Sequence, residues 1–111
     1  MDPLIDVREV IRRCLRQFVG VRYANGDIEN ETVFDEAAGR YLVVSQGWMG
    51  DRRVHGCLVH VELRGDKVWV QRDGTEEGVA TEFVAAGIPK SSIVLGFRDP
   101  DARKLGEFAA A

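Results

Sequence analysis

The chain has 111 residues, of which 45% are hydrophobic and 30% charged. This is the composition and length of one globular domain, here residues 1–111, that can bury a true core. The formal net charge of −3 disfavours nucleic-acid binding through bulk positive charge. No apolar run approaches the roughly 20 residues that span a bilayer, and acids near the start differ from a signal peptide. We therefore expect a cytoplasmic protein without membrane contact.

An N-terminal helix is predicted from apolar residues spaced three and four apart. The stripe consists of Leu4, Val7, Ile11, Cys14, Leu15 and Phe18. Asp2 is placed to cap this helix, Pro3 to occupy its first position and Gly20 to end it. We expect the stripe to pack on a sheet.

Three arginines, Arg8, Arg12 and Arg16, lie along the helix edge that points away from this stripe. Such a row can hold a phosphate or an acidic partner, and it is also the usual composition of a solvated helix face. Asp6 and Glu9 dilute the charge of the row, which favours the solvated face.

A four-stranded antiparallel meander is predicted next, with one side facing water and the other facing the helix. A polar connection with a turn signal at Asn25, Gly26 and Asp27 precedes it. Gly39 lies in the first turn, and Gly47-Trp48 closes the second strand. The connection covers residues 21–31, and the strands cover residues 31–34, 41–46, 54–63 and 68–72.

The last two predicted strands form a hairpin around the two-residue loop Gly65-Asp66. This loop places Leu63 opposite Val68, Val61 opposite Val70 and Val59 opposite Arg72. Alternation then assigns one apolar face and one mixed face. The apolar face holds Cys57, Val59, Val61, Leu63, Val68 and Val70; the mixed face holds Leu58, His60, Glu62, Trp69 and Gln71. The aromatic Trp69 is either part of a contact surface or half covered by its own neighbours.

Helices are predicted to complete an α+β fold. Thr75 can cap the first, which carries Val79, Ala80, Phe83, Val84 and Ala86 and ends at Gly87. Pro89 starts a short helical turn through residues 93–95, and Asp99-Pro100-Asp101 starts another. The expected architecture is an N-terminal helix, a four-stranded antiparallel sheet, then one longer and one or two short C-terminal helices.

Few side chains have the spacing that catalysis or metal binding requires. Asp73, Glu76 and Glu77 could bind Mg²⁺, but a turn followed by a helix cap accounts for them better. His55 and His60 are five apart on one strand, so alternation places them on opposite faces and they cannot share a metal.

The two cysteines, Cys14 and Cys57, lack a metal-ligand spacing, and both fall on predicted apolar faces. We expect reduced core thiols rather than a disulfide. No serine or cysteine is placed with a histidine as a nucleophile site requires, and no phosphate-binding glycine-rich loop is present. The sequence therefore favours a protein that is not an enzyme and holds no cofactor.

Several motifs in fixed order resemble the XisI family, the fdxN element excision controlling factors known mainly from cyanobacteria. They lie at residues 53–57, 68–80, 86–90 and 93–97, with further matches at residues 27–29, 34–35, 41–42, 47–48, 100, 103 and 107–109. The resemblance covers nearly the whole chain.

The resemblance implies an accessory role in a DNA rearrangement during heterocyst differentiation. A recombinase carries out the strand chemistry there, and XisI acts with a second factor, XisH, which resembles an endonuclease fold. No catalytic residues are implied.

Exposed-looking motif residues define a hypothetical partner site: Arg53, His55, Trp69, Gln71, Arg72 and Asp73. The mixed face or its rim is expected to bind XisH or a second copy of this chain, since Trp and Arg are frequent hot spots. The alternative is that Arg72 pairs internally with Asp73 or Glu76.

Three function classes remain open. The first, which we favour, is a non-catalytic regulatory partner of a nuclease-like protein in programmed DNA excision. The second is an antitoxin or immunity-type protein that neutralises a XisH-like partner. The third is a direct DNA-binding accessory, which would need an accessible row of Arg8, Arg12 and Arg16.

Overall fold

The computed structural model describes residues 6–21, 23 and 26–111. In chain order its elements are α1 (Val7–Arg16), β1 (Asp27–Asp35), β2 (Arg40–Met49), β3 (Arg52–Arg64), β4 (Lys67–Asp73), α2 (Val79–Ala85), a 3-10 turn (Lys90–Ser92), β5 (Ile93–Leu95) and α3 (Pro100–Leu105). The α+β prediction is confirmed, with one strand more than expected.

The sheet has the order β1-β2-β3-β4-β5. β1 to β4 form the predicted antiparallel meander, and β5 adds to β4 in parallel, with Val68 opposite Ile93. The prediction of a helical turn through residues 93–95 was therefore wrong. Ile93, Val94 and Leu95 are all buried, and a short strand buried on both faces shows no alternation that would separate it from helix.

Strand β1 begins at Asp27, earlier than the predicted residue 31. The segment predicted as a polar connection contains a buried polar residue. Asn30, 2% exposed, donates to the Phe18 carbonyl at 2.9 Å and to the Tyr23 hydroxyl at 3.0 Å, and accepts from the Ser45 hydroxyl at 2.6 Å. A polar residue with three partners can enter a core without leaving its groups unpaired. The polar composition of the segment had instead indicated a loop. Asn25 of the predicted turn lies outside the described residues.

Helix α1 is shorter than predicted at its described end. It stops at Arg16 with Gln17 as its C-cap, and a turn rather than helix leads to Gly20. Its N-cap is Asp6, whose carboxylate accepts from the Glu9 amide at 3.2 Å. The predicted cap Asp2, the first-turn Pro3 and the stripe residue Leu4 lie outside the described residues.

One hydrophobic core lies between the sheet and the pair α1 and α2, which pack beside each other. We call the helix-covered side of the sheet the inner face and the opposite side the outer face. The predicted stripe residues Ile11, Cys14 and Leu15 are buried, and Phe18 packs against the core. From the sheet, the core takes Tyr41, Val43, Val59, Val61, Val68 and Val70, all 0% exposed. The predicted apolar face of the hairpin is thus confirmed for its valines.

Two β-bulges change which side chains share a face. In β3, Val59 lies opposite Val43 and Cys57 opposite Val44, so Leu58 is the extra residue. In β4, the extra residue is Gln71. A bulge leaves one residue unpaired and shifts the alternation beyond it, and strict alternation from the Gly65-Asp66 loop could not foresee it. That loop itself is confirmed.

These bulges correct one predicted strand partner and the predicted faces of several side chains. Val59 lies opposite Asp73, not Arg72. Leu58 packs against the core, whereas Cys57 pairs with the outward-facing Val44. His55 and His60 lie opposite Gln46 and Leu42 of the unbulged β2, so they share the outer face instead of opposing faces.

Cys14 and Cys57 are both free thiols, Cys14 buried and Cys57 partly exposed. Burial raises the pKa of each thiol, which keeps both protonated near neutral pH. Among residues 6–21, 23 and 26–111, no helix is long and apolar enough to cross a membrane. The same residues hold no group of three or more His, Cys, Asp or Glu that could bind a metal ion.

Candidate interaction surface

The outer face of β1, β2 and β3 exposes apolar side chains among charged ones. Val33 is 50% exposed and Trp48 is 49% exposed, while Leu42 and Val44 between them are half-buried. Helices α1 and α2 pack on the other side of the sheet. An antiparallel sheet with one face left open in this way can present a flat surface to another protein.

The most exposed aromatic on this face is Trp48, which pairs across the strands with Arg53. The Arg53 guanidinium lies 5.5 Å from the centre of the Trp48 ring, within the range of a cation–π contact. His55 follows on the same face and is exposed. We call Trp48, Arg53 and His55 the distal patch. Trp and Arg are, with Tyr, the residue types enriched among the hot spots of protein interfaces.

A strand edge runs beside the distal patch. The pairing of β3 with β4 ends at Val59 and Asp73, followed by a last hydrogen bond of 2.8 Å from the Gly74 amide to the Leu58 carbonyl. Residues 53–57 of β3 therefore have β2 on one side and no described strand on the other. We call residues 53–57 the open edge. Unpaired strand edges are templates for adding a strand.

Arg72 lies at the end of the open edge that is nearest to β4. Its Nε donates to the Cys57 carbonyl at 3.3 Å, and its side chain is exposed. Among the described residues it makes no ion pair with Asp73 or Glu76, so the alternative of an internal pair does not hold. The bulge at Gln71 moves Arg72 opposite His60, and its charge stays available at the edge.

Trp69 and Gln71 lie on the outer face at the other end of the sheet. The Trp69 ring is half-buried between the guanidinium groups of Arg64, 4.5 Å from its centre, and Arg103 of α3, at 5.3 Å. Gln71 donates to Glu62 at 3.4 Å. The structure thus does not bring all six predicted site residues together: Arg53, His55 and Arg72 lie at the open edge, away from the Trp69 cluster.

Glu62 is the charged centre of that second cluster, although its side chain is buried. Its carboxylate lies 2.9 Å from Arg64 Nη2, 3.2 Å from His60 Nε2 and 3.4 Å from Arg40 Nε. Burial alone would raise the pKa of Glu62, but the hydrogen bond from Arg64 and the charge of Arg40 leave it below its ordinary value. These contacts indicate that Glu62 and the neighbouring Trp69 have a structural role.

Asp73 faces the helices and holds the start of α2. Its Oδ2 accepts from the Val79 amide at 2.8 Å, and its Oδ1 accepts from the amide and the hydroxyl of Thr75 at 3.0 and 2.5 Å. The N-cap residue itself, Gly78, has no side chain to offer. The hydroxyl of the predicted cap Thr75 accepts from the amide of Gly78, the residue before the helix, at 3.2 Å. Asp73 therefore caps the helix from six residues away, which local capping patterns do not describe.

The arginine row of α1 is engaged with the turn between β1 and β2. Arg12 Nη1 and Arg8 Nη1 contact the two carboxylate oxygens of Glu36 at 2.8 and 3.1 Å, and Arg16 lies 5.5 Å from the centre of the Phe34 ring. Hydrogen bonds from Tyr41, Arg12 and Arg8 lower the pKa of Glu36 to about 2. Arg8 and Arg16 remain largely exposed, as predicted for a solvated face, while Arg8 and Arg12 also attach the helix to the sheet through Glu36.

Sequence reasoning missed Trp48 as a surface residue. The available signal was its position two residues after Gln46, which alternation places on the same outward face. Its cation–π partner Arg53 was identified, but the pairing of the two depends on the register of β2 with β3.

The comparisons with known proteins concern the family and the fold. The family model described as XisI protein matches residues 1–110. A XisI-like protein from Anabaena variabilis ATCC 29413 has a crystal structure that superposes with a TM-score of 0.84 at 27% identity, covering 94% of this chain and 95% of that chain. The fdxN element excision controlling factor XisI from the same organism superposes with a TM-score of 0.77 at 30% identity and the same coverage. No curated protein matches this chain. The chain belongs to the XisI family.

Proposed function

We propose that this chain is a non-catalytic controlling factor in programmed excision of a DNA element, acting by binding a nuclease-like XisH partner. The observation that carries the proposal is the similarity to the fdxN element excision controlling factor, 30% identical over 94% of this chain. Similarity over the full length of both chains makes a shared role the simplest account of a shared fold.

The surface chemistry supports contact with protein rather than with DNA. DNA binding depends on lysines and arginines that are free to neutralise phosphates. Arg8 and Arg12 already share Glu36, and the chain carries 18 acids against 15 bases. The distal patch instead combines an exposed Trp48 with Arg53, and the apolar Val33 and Val44 lie on the same face.

Co-purification tests the partner. The chain is expressed with the XisH homologue of the same genome, and the variants Trp48→Ala and Arg53→Ala are compared with wild type. We expect each to weaken capture by about tenfold or more, as truncation of a hot-spot residue does. Arg13→Ala is the matched control, because Arg13 is exposed on α1 and lies away from the patch. Capture that is equal in all variants would remove the distal patch from the proposal.

Excision itself tests the role. In a host whose own gene for this chain is deleted, amplification across the element junction measures the excised product. Wild type is expected to restore the product, and Arg13→Ala to restore it equally. Excision at the wild-type level in the deletion strain would refute the function.

A further inference from the structure

The outer face is divided by charge across its strands, if residues paired across the sheet are taken as rows. β1 exposes three acids on this face, Asp27, Glu29 and Glu31, and none of them makes an ion pair within the described part of the chain. β3 carries Arg53 in the row of Asp27 and His55 in the row of Glu29, with β2 between them. One border of the face is therefore acidic and the opposite border is basic.

The strip between the two borders is mainly apolar. β2 contributes Leu42, Val44 and Trp48, and Val33 of β1 extends the strip. α1 and α2 lie on the inner face and leave this strip open. An apolar centre within a charged rim is the composition of a protein interface.

We propose that the outer face of one copy packs against the outer face of a second copy, related by a twofold axis that runs along β2. This axis places β1 of each copy over β3 of the other and keeps every residue in its own row. Asp27 then lies over Arg53 of the second copy, and Glu29 lies over His55. The axis repeats both contacts, so each acidic border meets a basic border. The strands of the two sheets stay aligned, as in the common packing of two sheets face to face.

The row of Val44 adds a third pair of opposite charges. Glu31 lies over Cys57 of the second copy. Arg72 of that copy is held beside it, because the Arg72 Nε donates to the Cys57 carbonyl at 3.3 Å. All three acids of β1 thus meet a basic side chain, and Val44 meets its own copy at the axis.

One row places two acids over each other. Asp35 lies over Glu62 of the second copy, whose carboxylate contacts Arg64 at 2.9 Å and Arg40 at 3.4 Å. The Asp35 carboxylate accepts from the Ala38 amide at 3.0 Å. Because Arg40 and Arg64 offset the charge of Glu62, this row opposes the contact little.

The alternative twofold axis, perpendicular to the strands, is disfavoured by charge and by shape. It places β1 over β1, so that acids face acids, and like charges across an interface are unfavourable. It also places β4 over β4. Helix α3 lies over β4 through the contact of Arg103 with the Trp69 ring at 5.3 Å, so it would collide with its own copy. With the axis along β2, α3 lies beyond the β1 edge of the second copy.

The face lies at the lower limit of size for a specific interface. β1 has nine residues, so three strands span about 30 by 15 Å at about 3.3 Å per residue and 4.8 Å between strands. Contact over this area buries on the order of 1,000 Å² in the two copies together, where weak specific interfaces lie. We therefore expect a dimer with a roughly micromolar dissociation constant. Both copies use the same surface, so the assembly closes at two.

Sedimentation of the purified chain over a range of concentrations measures the dimer. Wild type is expected to pass from monomer to dimer without larger species. Asp27→Arg and Arg53→Glu each set like charges against each other twice in their own dimer, so each is expected to lower the association constant by about tenfold or more. Arg13→Glu has the same change in charge as Arg53→Glu on an exposed position of α1, and it should behave as wild type.

An equal mixture of Asp27→Arg and Arg53→Glu tests the orientation. In the mixed dimer one contact is the original pair, and the other is the same pair with its signs exchanged. Dimerisation is therefore expected to return to near the wild-type level, and combining both changes in one chain should restore it as well. An arrangement that does not bring residue 27 to residue 53 predicts no recovery.

Two outcomes would overturn the inference. One is a wild-type chain that stays monomeric at every concentration reached, and the other is a mixture of the two variants that does not recover the dimer. This inference does not rest on the proposed function. The dimer covers the distal patch, so a second copy and XisH compete for it. Asp27→Arg leaves the distal patch intact and is expected to capture XisH at least as well as wild type while it fails to dimerise, so the two proposals can fail separately.

Discussion

Replacing Asp73 by alanine tests whether this residue serves the fold or a partner. The change removes the acceptor for three donors, the amides of Thr75 and Val79 and the Thr75 hydroxyl. Val79 is fully buried, so its amide would have little access to water in compensation. Asp73 also lies at the positive end of α2, where a carboxylate is favourable.

The magnitude follows from these contacts. Losing a helix cap costs about 0.5–2 kcal/mol, and hydrogen bonds to a charged group contribute about 1.5–3 kcal/mol. Since both descriptions count the same contacts, we expect Asp73→Ala to lower the free energy of unfolding by about 2–3 kcal/mol. For a domain of this size that corresponds to a fall in Tm of roughly 10 °C. Asp73→Asn keeps one acceptor oxygen and should lose about 1 kcal/mol.

Urea unfolding followed by circular dichroism measures the difference. Glu76→Ala is the matched control, because Glu76 is a neighbouring exposed acid without an ion pair among the described residues; we expect a change within about 0.5 kcal/mol. If Asp73→Ala unfolds at the same urea concentration as Glu76→Ala, the remote cap is not the role of Asp73. Its place in the partner site would then regain support.

Further predictions concern other contacts of the sheet. Gly47→Ala is expected to disrupt β1 pairing, because φ at Gly47 is +153° and an added Cβ would lie 2.0 Å from a β1 carbonyl oxygen; Gly56→Ala meets no atom within 4 Å and should be tolerated in thermal unfolding. The Glu36 carboxylate has a folded pKa of about 2 against an ordinary 4.5, so its contribution to stability is complete above pH 4.5 and is lost as pH falls toward 2. Glu36→Gln should therefore flatten the acid side of the stability profile. Asn30→Leu should lower the free energy of unfolding by about 1–3 kcal/mol, because its three partly buried partners lose their hydrogen bonds to it; urea unfolding measures the loss.

Each of these predictions has a contradicting result. Equal melting of Gly47→Ala and Gly56→Ala would mean that the strand contact is relaxed in solution. An unchanged pH profile in Glu36→Gln would show that the arginines of α1 do not depend on that carboxylate. Wild-type stability of Asn30→Leu would mean that the polar contact can be replaced by apolar packing.

The hairpin and its core face were predictable because their causes are local. Gly65 takes a φ of +60° in the two-residue loop, and loop length fixes the register of the first pairs, Leu63 with Val68 and Val61 with Val70. Side-chain alternation then places the buried valines. The stripe of α1 was predictable for the same reason, since spacing along one helix decides it.

The site was predictable only in part. Arg53, His55 and Arg72 were identified through the family motif, but their place at one open edge depends on where β4 leaves β3. Trp69, from the same predicted set, lies away from this edge beside Arg103; Arg103 comes from a helix over thirty residues downstream, so the two meet only in the folded chain.

Local sequence by itself determined the family, the α+β class, the hairpin loop and the valines that form the core, since each depends on neighbouring residues or on a fixed periodicity. Tertiary structure alone decided the bulges at Leu58 and Gln71, the fifth strand and the role of the α1 arginines. Those features depend on contacts between segments that are distant in the chain. Hydrogen bonds and packing between such segments outweigh the local sequence pattern of each one.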